Sequence, residues 1–303
     1  MKLRRPCIAL CAVALTAVTL CPRLARAWAE GFSAPALRLL SRATMRLPFS
    51  LFEWGLAAIA ALTLASSLRA ALRRGAIAGL SRLLRACLSL LLAAAICLGA
   101  LWLPLYHRSP ARAAHASDAQ LSALCATLIE SLNAAALDFS ALPDDLPAKP
   151  AALPFWMDAM GVTGFFAFPT GEALYAPSLP AASIPFVAVH EQMHGLGCAG
   201  EGAANIAAYE ACVARGGAYA DSARLWALKY AMGLLSERDR KAAADCRAMM
   251  RPQTRRAYLE AGGGGRPQPP KRAVLAAFAA LGLSEPATDY EALALHLASQ
   301  IAV

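Results

Sequence analysis

Three apolar runs dominate the first third of the chain: residues 7 to 21 (CIALCAVALTAVTLC), 51 to 65 (LFEWGLAAIAALTLA) and 86 to 105 (ACLSLLLAAAICLGALWLPL), with arginine-rich connections between them. About 20 apolar residues cross a bilayer, so the third run is long enough by itself. The first follows Lys2, Arg4 and Arg5 and precedes Ala25-Arg26-Ala27, which fits a cleaved signal peptide as well as an anchor. With the N-terminus inside, three crossings leave Arg69, Arg73, Arg74, Arg82 and Arg85 in the cytoplasm, as the positive-inside rule prefers, and send the rest of the chain outside. The connection holding Arg23, Arg26, Arg38, Arg42 and Arg46 then faces outward, against the rule. The pattern predicts a membrane region over 1–107 and an extracytoplasmic domain over 108–303.

Past residue 107 the pattern changes. Residues 108 to 117 (RSPARAAHAS) read as a linker. Ser117 and Gln120 have capping-box spacing, and Leu121, Leu124, Cys125, Leu128, Ile129 and Leu132 follow at helical spacing. Residues 139 to 154 are rich in proline and acidic side chains and predict an irregular connection. Val162 to Phe168 and Glu172 to Tyr175 flank Pro169-Thr170-Gly171, which predicts a hairpin. With Ser183 as N-cap, Pro185 opens a helix running to Leu196, and Gly195, Gly197 and Gly200 weaken it. Further helices are expected from Glu201 to about Val213 and near 222–235, 237–249, 273–281 and 288–301, with a flexible stretch over 261–271. The fold class is mainly α: transmembrane helices, then a helical domain with a small hairpin or sheet.

Composition agrees with a membrane chain, because 58% of the 303 residues are hydrophobic and 16% charged. Much of the net charge of +9 lies beside the apolar runs, where arginines fix topology and meet lipid headgroups. Membrane lipid is therefore an expected partner, and nucleic acid is not. Five of the nine cysteines fall in or beside the apolar runs, leaving Cys125, Cys198, Cys212 and Cys246 in the domain. No CxxC spacing occurs among them, and their pairing cannot be read from spacing. On one straight helix Cys198 and Cys212 would stand roughly 21 Å apart, so a bond between them needs an intervening turn.

The chemistry concentrates at His190-Glu191-Gln192-Met193-His194, an HExxH sequence. On a helix the two histidines lie one turn apart on one face, so both imidazoles can reach one zinc ion. Glu191 is then placed as general base toward a water on that metal. A zinc site of this kind needs a third protein ligand and an open position. Glu201 is the preferred ligand, since the glycine-rich break lets a second helix fold back, with Asn205 one turn later to orient a ligand. Glu210 and Asp221 are the alternatives. The plain structural reading is two core histidines beside a surface glutamate, which the apolar Ile184 to Val189 makes costly.

LPFSLFEWG (47–55) and GVTGFFAFPTGEALYAPSLPAASIPFVAVHEQMHGLGCAGEGAAN (161–205) resemble a bacterial family catalogued as domain of unknown function 3810, membrane proteins regarded as zinc metallopeptidases of the gluzincin type. His190, Glu191, His194, Gly197, Glu201, Ala204 and Asn205 match its pattern, and the likeness runs from the membrane region to about residue 212. Ala203 departs from it, standing where the family has a second acidic residue. The resemblance implies a gluzincin-like domain, Glu201 as third zinc ligand, and Gly171, Glu172 and Ala173 in an edge strand that holds a peptide substrate. The function expected is zinc-dependent hydrolysis of peptide bonds outside the cell membrane. The alternative is a membrane sensor or assembly protein that keeps the metal fold without turnover.

Overall fold

A computed structural model describes residues 21–108, 115–262 and 291–302. The first apolar run except Cys21, the helix expected over 273–281 and most of the 108–117 and 261–271 linkers lie outside the described residues. The chain divides into two compact units.

One unit takes the described residues up to Arg108 together with Ala151–Leu153 and Ala167–Glu172. It opens with α1 (Pro22–Trp28) and α2 (Ala34–Thr44), joined through a π-helical turn. Two long helices follow, α3 (Leu51–Arg74) and α4 (Ala76–Cys97), the latter continuing through π and 3-10 turns to His107. Only Gly75 separates them, at φ +91°, where a side chain would be strained. Both are long and apolar enough to cross a membrane, with mean hydropathy of 1.6 and 2.4. Their apolar side chains point outward: Leu62, Leu72 and Ile77 are 70, 79 and 83% exposed. So large an exposed apolar surface marks a membrane-associated chain. The connecting arginines lie on the helices themselves, because no proline interrupts residues 76–97 and the helix begins ten residues before the apolar run.

The start of α3 is secured by buried carboxylates. Glu172, fully buried, accepts from Leu51 N–H (2.9 Å), Phe52 N–H (2.7 Å) and Thr170 Oγ1 (2.9 Å). Glu53, in the first turn, accepts from Ala152 N–H (2.7 Å) and Leu153 N–H (3.0 Å). Ser50 Oγ accepts from Glu53 N–H, completing the N-cap. The Glu172 bonds satisfy amides that the start of α3 leaves without intrahelical partners, those of Glu53 hold the 151–153 segment against it, and the anions complement the helix dipole.

The second unit contains α5 (Asp118–Ala134), β1 (Lys149–Pro150), α6 (Phe155–Met160), β2 (Gly164–Ala167), β3 (Glu172–Tyr175), α7 (Ile184–Gly195), α8 (Glu201–Arg215), α9 (Gly217–Arg238), α10 (Arg240–Met249), α11 (Pro252–Glu260) and α12 (Ala292–Ser299), except that residues 167–172 of the hairpin count with the first. Both halves of the Ser117–Gln120 capping box form, and the expected apolar positions of α5 are all buried. The sheet has the order β1-β3-β2. The hairpin is as the pattern predicts, whereas β1 pairs in parallel with Leu174 and Tyr175 inside a segment expected to be irregular. Its two residues are too short to leave a periodic signal.

Helix α9 is the hub of this unit. It packs on α5, α7, α8, α10 and α12, and buries Leu225, Leu228, Met232 and Leu235. Each such side chain stabilises the fold by about 1.5–3 kcal/mol. Helices α7 and α8 also pack on each other, which brings the two halves of the candidate site together.

Candidate metal centre

Every residue of α7 is buried except Gln192. Its N-terminus is not capped by Ser183, whose side chain makes no capping bond. The buried hydroxyl of Ser222 on α9 takes that role, accepting from Phe186 N–H (3.1 Å) and donating to the carbonyl of Ala182 (2.6 Å). The cap comes from another helix, so local spacing could not show it. Proline at N2 and the Ser222 clamp fix the register that turns His190 and His194 to one side.

The imidazoles converge. Their Nε2 atoms are 3.1 Å apart and the rings are nearly perpendicular, at 89°. Helix α8 then brings Glu201 to both: Oε2 lies 3.2 Å from His190 Nε2 and Oε1 lies 3.8 Å from His194 Nε2. Glu201 is the first residue of α8, and the turn Leu196–Gly200 reverses the chain before it. Gly197 within that turn has φ +100°. His194 Nδ1 sits 2.6 Å from the carbonyl of Cys198, so Nδ1 carries the proton and Nε2 presents its lone pair to the centre. Such an outer bond is how metal-bound histidines are usually oriented. Among the described residues, His190, His194 and Glu201 form a group able to hold a metal ion, and Glu210 and Asp221 do not join it. Asp221 instead pairs with Arg224 at 3.1 Å.

Asn205 lies close enough to His190 to favour its charged form, yet His190 Nδ1 and Asn205 Nδ2 are both buried without a hydrogen bond. Turning the Asn205 amide would present Oδ1 as the acceptor for Nδ1–H, leaving His190 Nε2 as a ligand matched to that of His194.

The electrostatics separate these groups. Burial pushes the Glu191 carboxyl up to about 8; the His190 charge opposes the rise and that of Glu201 adds to it. Burial, then the charge of His190, lowers His194 to about 4. Burial alone would lower His190 too, but the hydrogen bond and charge of Glu201 and the charge of Glu191 outweigh it and raise it. Two imidazoles and the Glu201 carboxylate, with one donor atom from each within 4.8 Å of the others, make a donor set that suits a cation. The spacings fit one: tetrahedral zinc with nitrogen ligands at about 2.0–2.1 Å holds its ligand atoms about 3.3 Å apart.

The sequence did not single out Gly164. A Cβ there would collide with the carboxylate of Glu191, so the main chain of β2 lies directly against that group. Its signal was a glycine inside a strand, the mark of a close backbone approach. Gly171, Glu172 and Ala173, expected to hold substrate, are engaged elsewhere. Gly171 (φ +71°) lies tight against Leu40 and Ser41, Glu172 caps α3, and Ala173 is buried. Strand β3 is the middle strand and β2 an outer one, so the outer edge on the hairpin side belongs to β2.

The family model described as Protein of unknown function (DUF3810) matches residues 138–261. That span holds the hairpin and the whole histidine and glutamate group, which supports the likeness seen in the motifs. Its limits differ from those expected: the match leaves out the 47–55 segment and continues past residue 212 through α11. No curated protein and no solved structure matches the chain.

Proposed function

We propose that this chain is a membrane-anchored zinc peptidase whose domain faces the outside of the cell membrane. The carrying observation is the convergence of His190, His194 and Glu201 with a buried Glu191 beside the backbone of β2. His190, His194 and Glu201 would hold one zinc ion, in a gluzincin-like arrangement. Bound there, zinc supplies Lewis acidity, which lowers the pKa of water to about 7 and polarises a carbonyl.

Glu191 does the proton work. Burial raises its affinity for a proton, so it can accept one from the attacking water and deliver it to the leaving amine. Gly164 lets the carboxylate lie against β2, and an extended peptide adding to that edge by main-chain hydrogen bonds would pass beside Glu191. Substrate contact is proposed at Gly164–Phe166 of β2 rather than at Gly171, Glu172 and Ala173. Asn205, with its amide turned, would orient His190, and the Cys198 carbonyl orients His194.

One observation favours a second reading, a sensor or assembly protein that binds metal without turnover: Ala203 stands where an acidic residue would extend the charge of α8. Incubating detergent-purified protein with an unbiased peptide mixture and reading new termini by mass spectrometry separates the two. Cleavage that disappears in Glu191→Gln supports the peptidase. Intact peptides with zinc-loaded wild type would favour the sensor.

A further inference from the structure

Helices α5 and α10 bring two buried cysteines together. Cys125 is fully buried on α5, and Cys246 is 3% exposed on α10. The Cys246 sulfur lies 3.9 Å from both the hydroxyl and the carbonyl oxygen of Ser122, which stands one turn before Cys125 on the same face of α5. Burial first, then the neighbouring Cys246, pushes the Cys125 thiol up to about 12. The other domain cysteines sit on different elements, Cys198 after α7 and Cys212 in α8.

We infer that Cys125 and Cys246 are a modification site: they close into a disulfide that staples α5 to α10 when the domain folds in an oxidising compartment. The inference rests on the outward-facing domain of the proposed function, not on its zinc chemistry. Folded thiols this buried are poor nucleophiles, so the bond forms during folding, while the sulfurs are accessible. The oxidant is the disulfide of a thiol–disulfide oxidoreductase. One thiolate attacks it to give a mixed disulfide, the second displaces that carrier, and the carrier leaves as a dithiol holding the two electrons and two protons. The bridge closes a loop of more than a hundred residues around the site-bearing helices, a long loop of the kind whose closure most restricts the unfolded chain.

The test is peptide mapping of full-length protein extracted from membranes with an alkylating reagent present from lysis. The expected result is one linked peptide joining Cys125 to Cys246, lost on reduction. Alkylation of either residue in the denatured, unreduced protein, or a link to any other cysteine, overturns the inference. As a second readout, reductant should lower the Tm of wild type by more than about 5 °C and leave Cys246→Ala unmoved. Equal shifts in both would overturn it. Zinc content does not enter either readout, so the bridge and the metal centre fail separately.

Discussion

Four buried or part-buried glutamates divide into two pairs with opposite surroundings. Glu53 and Glu172, in the unit with the long apolar helices, accept from backbone amides: Ala152 and Leu153 for one, Leu51 and Phe52 for the other. Glu191 and Glu201 lie among imidazoles, and no hydrogen-bond donor among the described residues meets the Glu191 carboxylate. A carboxylate that accepts from amides holds the backbone that donates to it, whereas one buried without donors holds a proton readily and can pass it on. Burial therefore does not distinguish a structural acid from a chemical one. The partners do.

The strongest way to break this comparison is to remove the charge of each kind. Glu191→Gln should lower peptide hydrolysis by about 100- to 10,000-fold while zinc content and Tm stay near wild type. Glu172→Gln should do the reverse, costing about 2–3 kcal/mol of stability by denaturant unfolding and leaving zinc content unchanged. A raised KM with unchanged stability in that variant would return Glu172 to the substrate site. Gly164→Ala forces a methyl into the Glu191 carboxylate and should reduce kcat about 10- to 100-fold with metal retained. An unaffected kcat would detach β2 from the chemistry. Ser222→Ala leaves the Phe186 N–H buried without its acceptor and should lower stability by about 1–2 kcal/mol, the smallest effect of the series.

The same contrast explains what could be read from the chain. HExxH places two imidazoles on one helical face through spacing alone, and the glycine break before Glu201 signals the reversal that the structure contains. The capping box of α5 and the hairpin around Thr170 are likewise local, and their residues lie within a few positions of one another. The capping role of Glu172 is not legible locally, because its partners are 120 and 121 residues away in sequence and a glutamate in a hairpin carries no mark of the helix it caps. Ser222 and Gly164 were missed for the same reason: each matters through an element distant in the chain. The apolar runs located the long helices but not their ends, since α4 continues outward with arginine-bearing turns that hydropathy alone discards.

The most direct measurement of the central claim is the metal content of purified full-length protein by elemental analysis, in wild type, His194→Ala and Glu201→Ala. The expected result is about one zinc per chain in wild type and loss of zinc in both variants, with Glu191→Gln retaining it. Wild type that takes up no zinc even on reconstitution, or zinc that survives in Glu201→Ala, would contradict the metal centre assigned to His190, His194 and Glu201.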